Sequence, residues 1–250
     1  MASTKKPLIV AHRGASWDFP ENTLASIRAA WAQGADLVEI DVRLSRDGAV
    51  VLLHDDTFQR TAGCALAPEA MDLADIRKLD AGAWKASQFA GERVPTLPEA
   101  LAAVPRDKGI LIEIKAGDTI VPALRRDLQP GLATAGRVYL ICFHYETLRQ
   151  AKAALPEIKA LYLAGGAWEN KVRTEAELDG LVTQAVAAGF DGLDLGDDWP
   201  LDAAQVRRVQ AAGLECHVWT VNDATRARQL VAAGIDSITT DRPGWLRAQL

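Results

Sequence analysis

Residues 35–56 of this 250-residue chain read ADLVEIDVRLSRDGAVVLLHDD, and this stretch decides the fold. The Asp47-Gly48 pair is a strong tight-turn signal between two runs rich in β-branched residues, which predicts two extended segments joined by a hairpin-like turn. Because strand side chains alternate in direction, Glu39 and Asp41 share one face of the first segment. Two neighbouring carboxylates repel each other unless a cation lies between them, so the pattern indicates a metal.

His54 ends the second extended segment and adds a group that can move protons near neutral pH. The same pattern has an alternative interpretation, in which Glu39 and Asp41 form the solvated face of an edge strand and His54 is a turn residue. Alternation by itself often means only half-burial, so the choice depends on what the rest of the chain brings to these residues.

Length and composition describe an ordinary globular protein with one large or two small domains. Hydrophobic residues make up 49% of the chain and charged residues 24%, which allows a sizeable core. The net charge of −5 argues against binding of nucleic acid or of an anionic membrane, since both need a basic face. The three cysteines, Cys64, Cys142 and Cys216, are widely spaced without metal-like pairing, so we expect reduced thiols.

Targeting signals are lacking in the sequence. The apolar run before His12 is too short for a signal peptide, and no run approaches transmembrane length. We therefore expect a cytoplasmic protein without stable membrane association.

Strand and helix signals alternate along the chain. Apolar runs rich in Ile, Val and Leu predict eight strands, which begin near residues 8, 37, 109, 137, 158, 191, 215 and 235. The predicted helices cover about residues 24–33, 97–104, 119–128, 146–155, 174–188, 201–212, 223–233 and 243–250. One extra strand, residues 50–54, lies in the region inserted after strand 2, and residues 57–94 break into turns and short helical signals.

Continuous strand–helix alternation without a G-x-G-x-x-G turn favours a (β/α)₈ TIM barrel over an open doubly wound sheet. We predict one α/β barrel domain over residues 1–250, with a small insertion at about 57–94. Active sites of such barrels lie at the carboxyl-terminal ends of the strands. Seven chemically active side chains fall at predicted strand ends: His12, Arg13, Glu39, Asp41, Glu113, Lys115 and Trp219. Their convergence disfavours the edge-strand interpretation.

Three carboxylates without a thiolate form a hard-oxygen site, which suits Mg²⁺ or Ca²⁺ better than zinc. Arg13 and Lys115 supply a guanidinium fork and a point charge for an anionic phosphoryl group. His12 and His54 are possible further ligands, but the acids already suffice, so proton transfer is the favoured role. One histidine would deprotonate the nucleophile and the other would protonate the leaving alkoxide. For His12 alone, a structural role in holding a loop is the alternative.

At this point the chain resembles the glycerophosphodiester phosphodiesterases, and most closely the short bacterial cytoplasmic members. The matching motifs are His12-Arg13-Gly14, Pro20-Glu21-Asn22-Thr23, Glu39-Ile40-Asp41-Val42, Leu53-His54-Asp55, Asp80-Ala81-Gly82, Pro95-Thr96-Leu97, Glu113-Ile114-Lys115, Val218-Trp219-Thr220-Val221-Asn222 and Thr240-Asp241-Arg242-Pro243. They follow the family order from residue 8 to residue 243. No single motif is specific, but the set is.

The resemblance implies a barrel of the same kind and hydrolysis of small-molecule glycerophosphodiesters to sn-glycerol 3-phosphate and an alcohol. Carried over by position, it implies a divalent cation, Mg²⁺ or Ca²⁺, held by Glu39, Asp41 and Glu113. It likewise implies acid/base catalysis by His12 and His54, and substrate binding by Arg13, Lys115 and Trp219. Ordinary barrel packing is the alternative for Trp219. Attack by a neighbouring substrate hydroxyl and attack by water are both compatible with the sequence.

Several residues near these motifs have open roles. Glu21 is suited either to orienting Arg13 or the metal shell or to the start of a helix. Cys142-Phe143-His144 stands where many members carry Ser-Phe, so we expect a difference in that part of the pocket. His144 and His217 match no motif and are interpreted as structural, and Asp194 is an acid without an assigned role that can contact the glycerol.

Two other functions fit parts of the pattern. A lysophospholipase D or sphingomyelinase D-like phospholipase would use the same chemistry. The chain has no signal peptide, disulfide frame or exposed amphipathic helix to place it on a membrane. A non-catalytic barrel that binds a phosphorylated ligand would need at least one key position altered, and none is. The alcohol preference, the physiological metal and the oligomeric state are not determined by the sequence.

Overall fold

The computed structural model describes residues 6–128, 137–166 and 169–250. These residues contain nine β-strands in one sheet: β1 (Leu8–Ala11), β2 (Leu37–Leu44), β3 (Val50–Leu52), β4 (Gly109–Ile114), β5 (Arg137–Cys142), β6 (Lys159–Ala164), β7 (Gly192–Gly196), β8 (Glu215–Trp219) and β9 (Ser237–Thr240). Eight of them run parallel in the order β1-β9-β8-β7-β6-β5-β4-β2, and pairing of β1 with β2 closes the ring. The predicted TIM barrel is confirmed.

The extra strand β3 pairs antiparallel with β2, with Val42 opposite Leu52 and Leu44 opposite Val50. Gly48 turns the chain between them with a φ of 80°, a left-handed conformation that glycine adopts without steric cost. The hairpin predicted from Asp47-Gly48 is therefore present, and it extends β2 beyond the rim of the barrel.

Ten α-helices occupy the described residues: α1 (Leu24–Ala32), α2 (Gln59–Ala62), α3 (Leu73–Ile76), α4 (Leu97–Ala102), α5 (Val121–Asp127), α6 (Tyr145–Ala154), α7 (Glu175–Ala188), α8 (Ala203–Ala211), α9 (Ala224–Ala233) and α10 (Pro243–Gln249). Short 3₁₀ turns cover Pro68–Ala70, Ser87–Phe89 and Asp118–Ile120. Three predicted helices start too early, because residues 174 and 223 are caps and residue 201 precedes a cap at residue 202. The side chains of Thr174, Asp202 and Asp223 accept hydrogen bonds from backbone N–H groups of the first turn.

The strands separate two apolar layers because their side chains alternate between the inside and the outside of the barrel. Outward residues such as Val38, Ile40 and Val42 pack beneath the helices in the larger core. A smaller cluster fills the barrel interior and consists of Val10, Leu37, Leu111, Tyr139, Ile141, Leu161 and Leu163. Glu39 and Asp41 lie on the same inward face of β2 as Leu37, closer to the carboxyl-terminal end of the strand.

The segment between β3 and α4 is the predicted insertion after strand 2. Its short helices surround a separate apolar cluster formed by Val51, Leu53, Phe58, Met71, Ile76, Ala81 and Val94. The insertion packs on the β2–β3 hairpin and brings Arg60, Trp84 and Lys85 close to the carboxyl-terminal mouth of the barrel. Among the described residues, no helix combines the length and the apolar character that crossing a membrane requires.

Candidate active site

Three acidic side chains meet inside the carboxyl-terminal end of the barrel. Glu39 and Asp41 project from β2 and Glu113 projects from β4, where it is the register partner of Asp41. One carboxylate oxygen from each residue lies within 4.8 Å of the others, and we call these three residues the acid triad. Their exposed fractions are 2%, 0% and 7%, which rules out the solvated face of an edge strand.

The acid triad has oxygens that lack partners. Glu39 Oε1 and Asp41 Oδ1 are buried and accept no hydrogen bond within the described residues. Glu113 Oε1 lies 2.5 Å from Lys115 Nζ, an ion pair without the direction of a good hydrogen bond. Burial, reinforced by Asp41 and Glu113, raises the pKa of Glu39 well above its usual range. Burial and Asp41 raise the pKa of Glu113 to about 8. This donor set of crowded carboxylate oxygens fits a divalent cation.

Two cations border the acid triad. Arg13 Nε lies 3.3 Å from Asp41 Oδ2, and the Arg13 backbone N–H donates to Glu39 Oε2 at 2.8 Å. Lys115 Nζ lies 3.4 Å from Asp41 Oδ1. Burial opposes ionisation of Asp41, but Arg13 and Lys115 outweigh it and hold the pKa of that carboxyl well below its usual range. Asp41 therefore carries the negative charge of the triad when no cation is bound.

Backbone shape places Arg13 and Asp41. Gly14 has a φ of 84°, and a Cβ there would lie 2.6 Å from the backbone carbonyl carbon of Ser26, so only glycine fits this close approach. Asn22 clamps Asp41 twice: its amide donates to Asp41 Oδ2 at 2.8 Å, and its Oδ1 accepts from the Asp41 N–H at 3.1 Å. These contacts lock the Asp41 carboxylate in one orientation.

Each of the two candidate catalytic histidines is held by an aspartate. His12 Nδ1 lies 2.7 Å from Asp241 Oδ1, and Asn222 donates to the other oxygen of Asp241 at 2.6 Å. His54 Nδ1 lies 2.8 Å from Asp55 Oδ1. Because both contacts use Nδ1, Nε2 of each ring is left for a reacting group.

The two histidine–aspartate pairs differ electrically. Burial lowers the pKa of His54, with Arg13 and Lys115 acting in the same direction against the pull of Asp41. Burial opposes ionisation of Asp241, but its hydrogen bond with His12 and the attraction of that ring lower its pKa to about 2. His54 is therefore disposed to be neutral. Both histidines lie against carboxylates that stay ionised, since hydrogen bonds from Arg60 and His54 outweigh burial and hold the pKa of Asp55 well below its usual range.

A chain of ion pairs connects the insertion to the cavity. Arg60 contacts Asp55 at 2.7 Å and Glu21 at 2.7 Å, and Glu21 Oε1 accepts from Arg13 Nη1 at 2.9 Å. Glu21 thus orients Arg13. The start of α1 is served instead by Thr23, whose hydroxyl accepts from the Ser26 N–H.

Most of these groups line one cavity of about 190 Å³. Its lining includes His12, Arg13, Glu39, His54, Glu113, Lys115, Phe143, Asp194, Trp219 and Thr239. All sequence-predicted site residues line this cavity except Asp41, which is fully buried beside the other two members of the acid triad. Trp219 lines the cavity and also packs against other residues of the barrel. Its Nε1 donates to the Asp194 backbone carbonyl at 3.1 Å, and its ring contacts the Phe143 ring edge-on, with the ring centroids 5.5 Å apart.

An open groove of about 470 Å³ adjoins the cavity and shares His12 and Arg13 with it. The other groove residues are Ser16, Trp17, Glu21, Trp84, Lys85 and Asp241. His54 lines the cavity but not the groove, whereas His12 lines both and lies where the two spaces join.

The departure at Cys142-Phe143-His144 does not reach the cavity through Cys142. Its thiol donates to the Ile114 carbonyl, accepts from the His144 N–H and lies in the core outside the barrel. Burial raises the pKa of the Cys142 thiol to about 12. The expected difference in the pocket is therefore absent at this position. Phe143 lines the cavity.

Four supporting residues had no role assigned from sequence. Asp55, Asp241 and Asn22 stand in the motifs quoted above. Membership of a motif, and for Asp55 its position directly after His54, are signals from which a supporting role could be inferred. Arg60 lies in the insertion, where no periodic pattern marks individual residues.

The barrel and its polar cavity define an enzyme of the α/β-barrel class whose site fits an anionic, oxygen-rich substrate. The sequence model of the glycerophosphoryl diester phosphodiesterase family matches residues 12–245. The chain belongs to this family.

Relatives support the assignment along nearly the whole length. A glycerophosphodiester phosphodiesterase of Caldanaerobacter subterraneus is 33% identical over 95% of both chains, and one of Bacillus subtilis is 32% identical over 97% of this chain and 86% of its own. An Oleispira antarctica phosphodiesterase, solved in complex with the product sn-glycerol-3-phosphate, is 31% identical. Its TM-score is 0.86, with 98% of this chain and 96% of that chain covered.

Proposed function

We propose that this protein hydrolyses glycerophosphodiesters to sn-glycerol 3-phosphate and an alcohol, with one divalent cation, Mg²⁺ or Ca²⁺, held by Glu39, Asp41 and Glu113. The single observation that carries the proposal is the cavity in which the acids, Arg13, Lys115 and both histidines meet. The product in the Oleispira antarctica structure is the small molecule that this reaction would release.

The bound cation would neutralise charge on the non-bridging phosphoryl oxygens and orient the phosphate. Arg13 presents its fork to the same phosphate and is held for this by Glu21. Lys115 supplies a second positive charge; burial works against that charge, but Asp41 and Glu113 outweigh it and raise the Lys115 pKa. Trp219 and Phe143 form an apolar wall that keeps water away from the reacting centre.

The two histidines divide the proton transfers. His54, with its lowered pKa and its place in the enclosed cavity, takes the proton from the attacking oxygen. His12, beside ionised Asp241 and facing the open groove, gives a proton to the departing alkoxide. One P–O bond to the alcohol breaks and one P–O bond to oxygen forms. If a glycerol hydroxyl attacks first, water then opens the cyclic phosphate, and the net reaction consumes one water by either route.

The test uses the full-length protein treated with EDTA and assayed for choline release from glycerophosphocholine. We expect turnover to be lost with EDTA and restored by Mg²⁺ or Ca²⁺. Lysophosphatidylcholine serves as the comparison substrate, and faster turnover of this lysolipid would assign the protein to the phospholipase alternative. Binding of sn-glycerol 3-phosphate without turnover of any diester would leave the non-catalytic alternative.

A further inference from the structure

Two buried oxygen atoms at the cavity wall have no partner and no part in the reaction described above. Asp194 Oδ1 and Thr239 Oγ1 make no hydrogen bond within the described part of the chain, although both residues line the cavity. Asp194 is 1% exposed and Thr239 is 2% exposed, so bulk water does not satisfy them. Unpaired buried polar groups destabilise a fold, which points to a ligand as the missing partner.

The position of Asp194 in the barrel separates it from the acid triad. By strand order β7, which carries Asp194, lies across the barrel from β2, which carries Glu39 and Asp41. β7 and β9 flank β8, so Asp194 and Thr239 lie on either side of the strand that carries Trp219. A ligand held at the triad through its phosphate would extend along the indole towards these two oxygens.

The charge of Asp194 suits hydroxyl groups better than a cation. Burial raises its pKa to about 7, and His217 on the neighbouring strand acts in the opposite direction. Near neutral pH the carboxyl therefore interconverts between an acceptor and a donor of hydrogen bonds. Its Oδ1 is isolated from the cations of the site, which contact Asp41, Glu113 and Glu21 instead.

We propose that Asp194 and Thr239 bind the terminal hydroxyl of the glycerol unit, and thereby select glycerophosphodiesters over other phosphodiesters. This inference rests on the proposed function. It also fixes the direction of the substrate: the glycerol lies in the enclosed 190 Å³ cavity and the variable alcohol lies in the open groove beside His12. A less open space with a few fixed polar groups suits one constant group, whereas an open groove tolerates several alcohols.

The experiment compares glycerophosphocholine with 2-hydroxypropyl phosphocholine, which lacks only the terminal hydroxyl and keeps the hydroxyl next to the phosphate ester. We expect the wild type to favour glycerophosphocholine in kcat/KM by about ten- to hundredfold, the usual effect of a hydrogen bond to a charged or buried group. Thr239→Val and Asp194→Leu should bring this ratio close to one, and Asp194→Asn should retain part of it. Thr147→Val, a buried threonine of α6 outside the cavity, is the matched control and should keep the wild-type ratio.

A binding measurement keeps the test independent of turnover. The wild type should bind sn-glycerol 3-phosphate about ten- to hundredfold more tightly than 2-hydroxypropyl phosphate, which lacks only the terminal hydroxyl, and Thr239→Val should remove most of this difference. If Asp194→Leu does not fold, the substrate and affinity ratios of Thr239→Val and Asp194→Asn test the inference. Wild-type ratios in both of those variants would overturn the inference. Absence of diester turnover in the wild type, with the affinity difference intact, would instead overturn the proposed function.

Discussion

The two ends of the barrel interior contain the same kinds of polar residue, but these residues differ in whether their side chains have hydrogen-bond partners. At the amino-terminal end, Lys159 Nζ lies 2.5 Å from Glu215 Oε1, and His217 Nε2 lies 3.1 Å from Glu215 Oε2. The second nitrogen of His217 lies 2.7 Å from Ser237 Oγ. Acid, base and hydroxyl are all paired there. At the carboxyl-terminal end, the acid triad has oxygens with no hydrogen-bond partner among the described residues.

The pKa directions follow the pairing. Burial opposes ionisation of Glu215, but hydrogen bonds with His217 and Lys159 lower its pKa to about 2. Burial and a neighbouring carboxylate raise the pKa of Glu113 to about 8. Acids that are paired within the chain stabilise the fold, whereas crowded acids without sufficient partners are available to a ligand. The difference between the ends therefore separates structural from functional polar residues.

Substitution within the acid triad should have the largest effect on activity. We expect Asp41→Asn to reduce turnover of glycerophosphocholine by about 10⁴-fold, because several kcal/mol of charge stabilisation would depend on the proposed cation. Initial rates at saturating Mg²⁺ or Ca²⁺ measure this loss. The melting temperature of metal-free Glu113→Gln should equal or exceed that of the wild type at neutral pH, since glutamine is neutral beside Asp41 without having to take up a proton on folding. A triad variant that is fully active would contradict the metal site.

Loss of either histidine should have the next largest effect. We expect His12→Ala and His54→Ala each to lower kcat by about 10²- to 10⁴-fold, the usual contribution of general acid–base catalysis. The two variants should differ with a leaving group that needs no proton, such as p-nitrophenol. His12→Ala should recover much of its rate on a p-nitrophenyl diester, and His54→Ala should not. Equal recovery would contradict the assignment of acid and base.

The pH dependence of stability should have opposite signs at the two ends. Glu113 holds its proton up to about pH 8 in the fold and releases it near pH 4.5 when unfolded, so the metal-free protein loses stability as the pH rises between these values. We expect the melting temperature to fall by about 5 °C from pH 5 to pH 8. Glu113→Gln should flatten this slope. A rise over the same range would show that the triad is not strained without a cation.

Glu215 acts in the reverse sense and gives the smallest effect. Its pKa is lowered in the fold, so its stabilisation is present above pH 4.5 and is lost as the pH falls towards 2. We expect Glu215→Ala to cost about 1 kcal/mol in the free energy of unfolding, since the pair is half exposed, and to leave kcat/KM unchanged. Urea unfolding and steady-state kinetics on one preparation measure both. A large loss of kcat would mean that the amino-terminal end takes part in the reaction.

The sequence predicts the barrel well because each strand and helix leaves a periodic apolar pattern. It also locates the acid triad, since inward-facing acids near strand ends are rare without a purpose. The predicted helix starts at residues 174, 201 and 223 lie one or two residues early, because caps share the composition of the first turn. The pairing of Asp241 with His12 lies beyond local pattern, since 229 residues separate them and only barrel closure brings them together.

Whether a buried carboxyl group has a hydrogen-bond partner is the property that the sequence reveals least. Asp194 and Glu215 are both acids on inward strand positions, and nothing in the local sequence distinguishes them. One is buried without a hydrogen bond to its Oδ1, and the other is held by His217 and Lys159. That distinction depends on which strands are neighbours and on which row of the barrel each residue occupies.

Calorimetric titration of the metal-free protein with Ca²⁺ or Mg²⁺ at pH 7, in buffers of different ionisation enthalpy, tests the acid triad most directly. Because Glu113 keeps its proton up to about pH 8, a cation must displace protons when it binds. We expect one ion to bind per chain with release of protons, and Glu113→Gln to weaken binding and reduce the release. Binding without proton release, or equal binding by the wild type and a Glu39→Gln/Glu113→Gln double variant, would contradict the site.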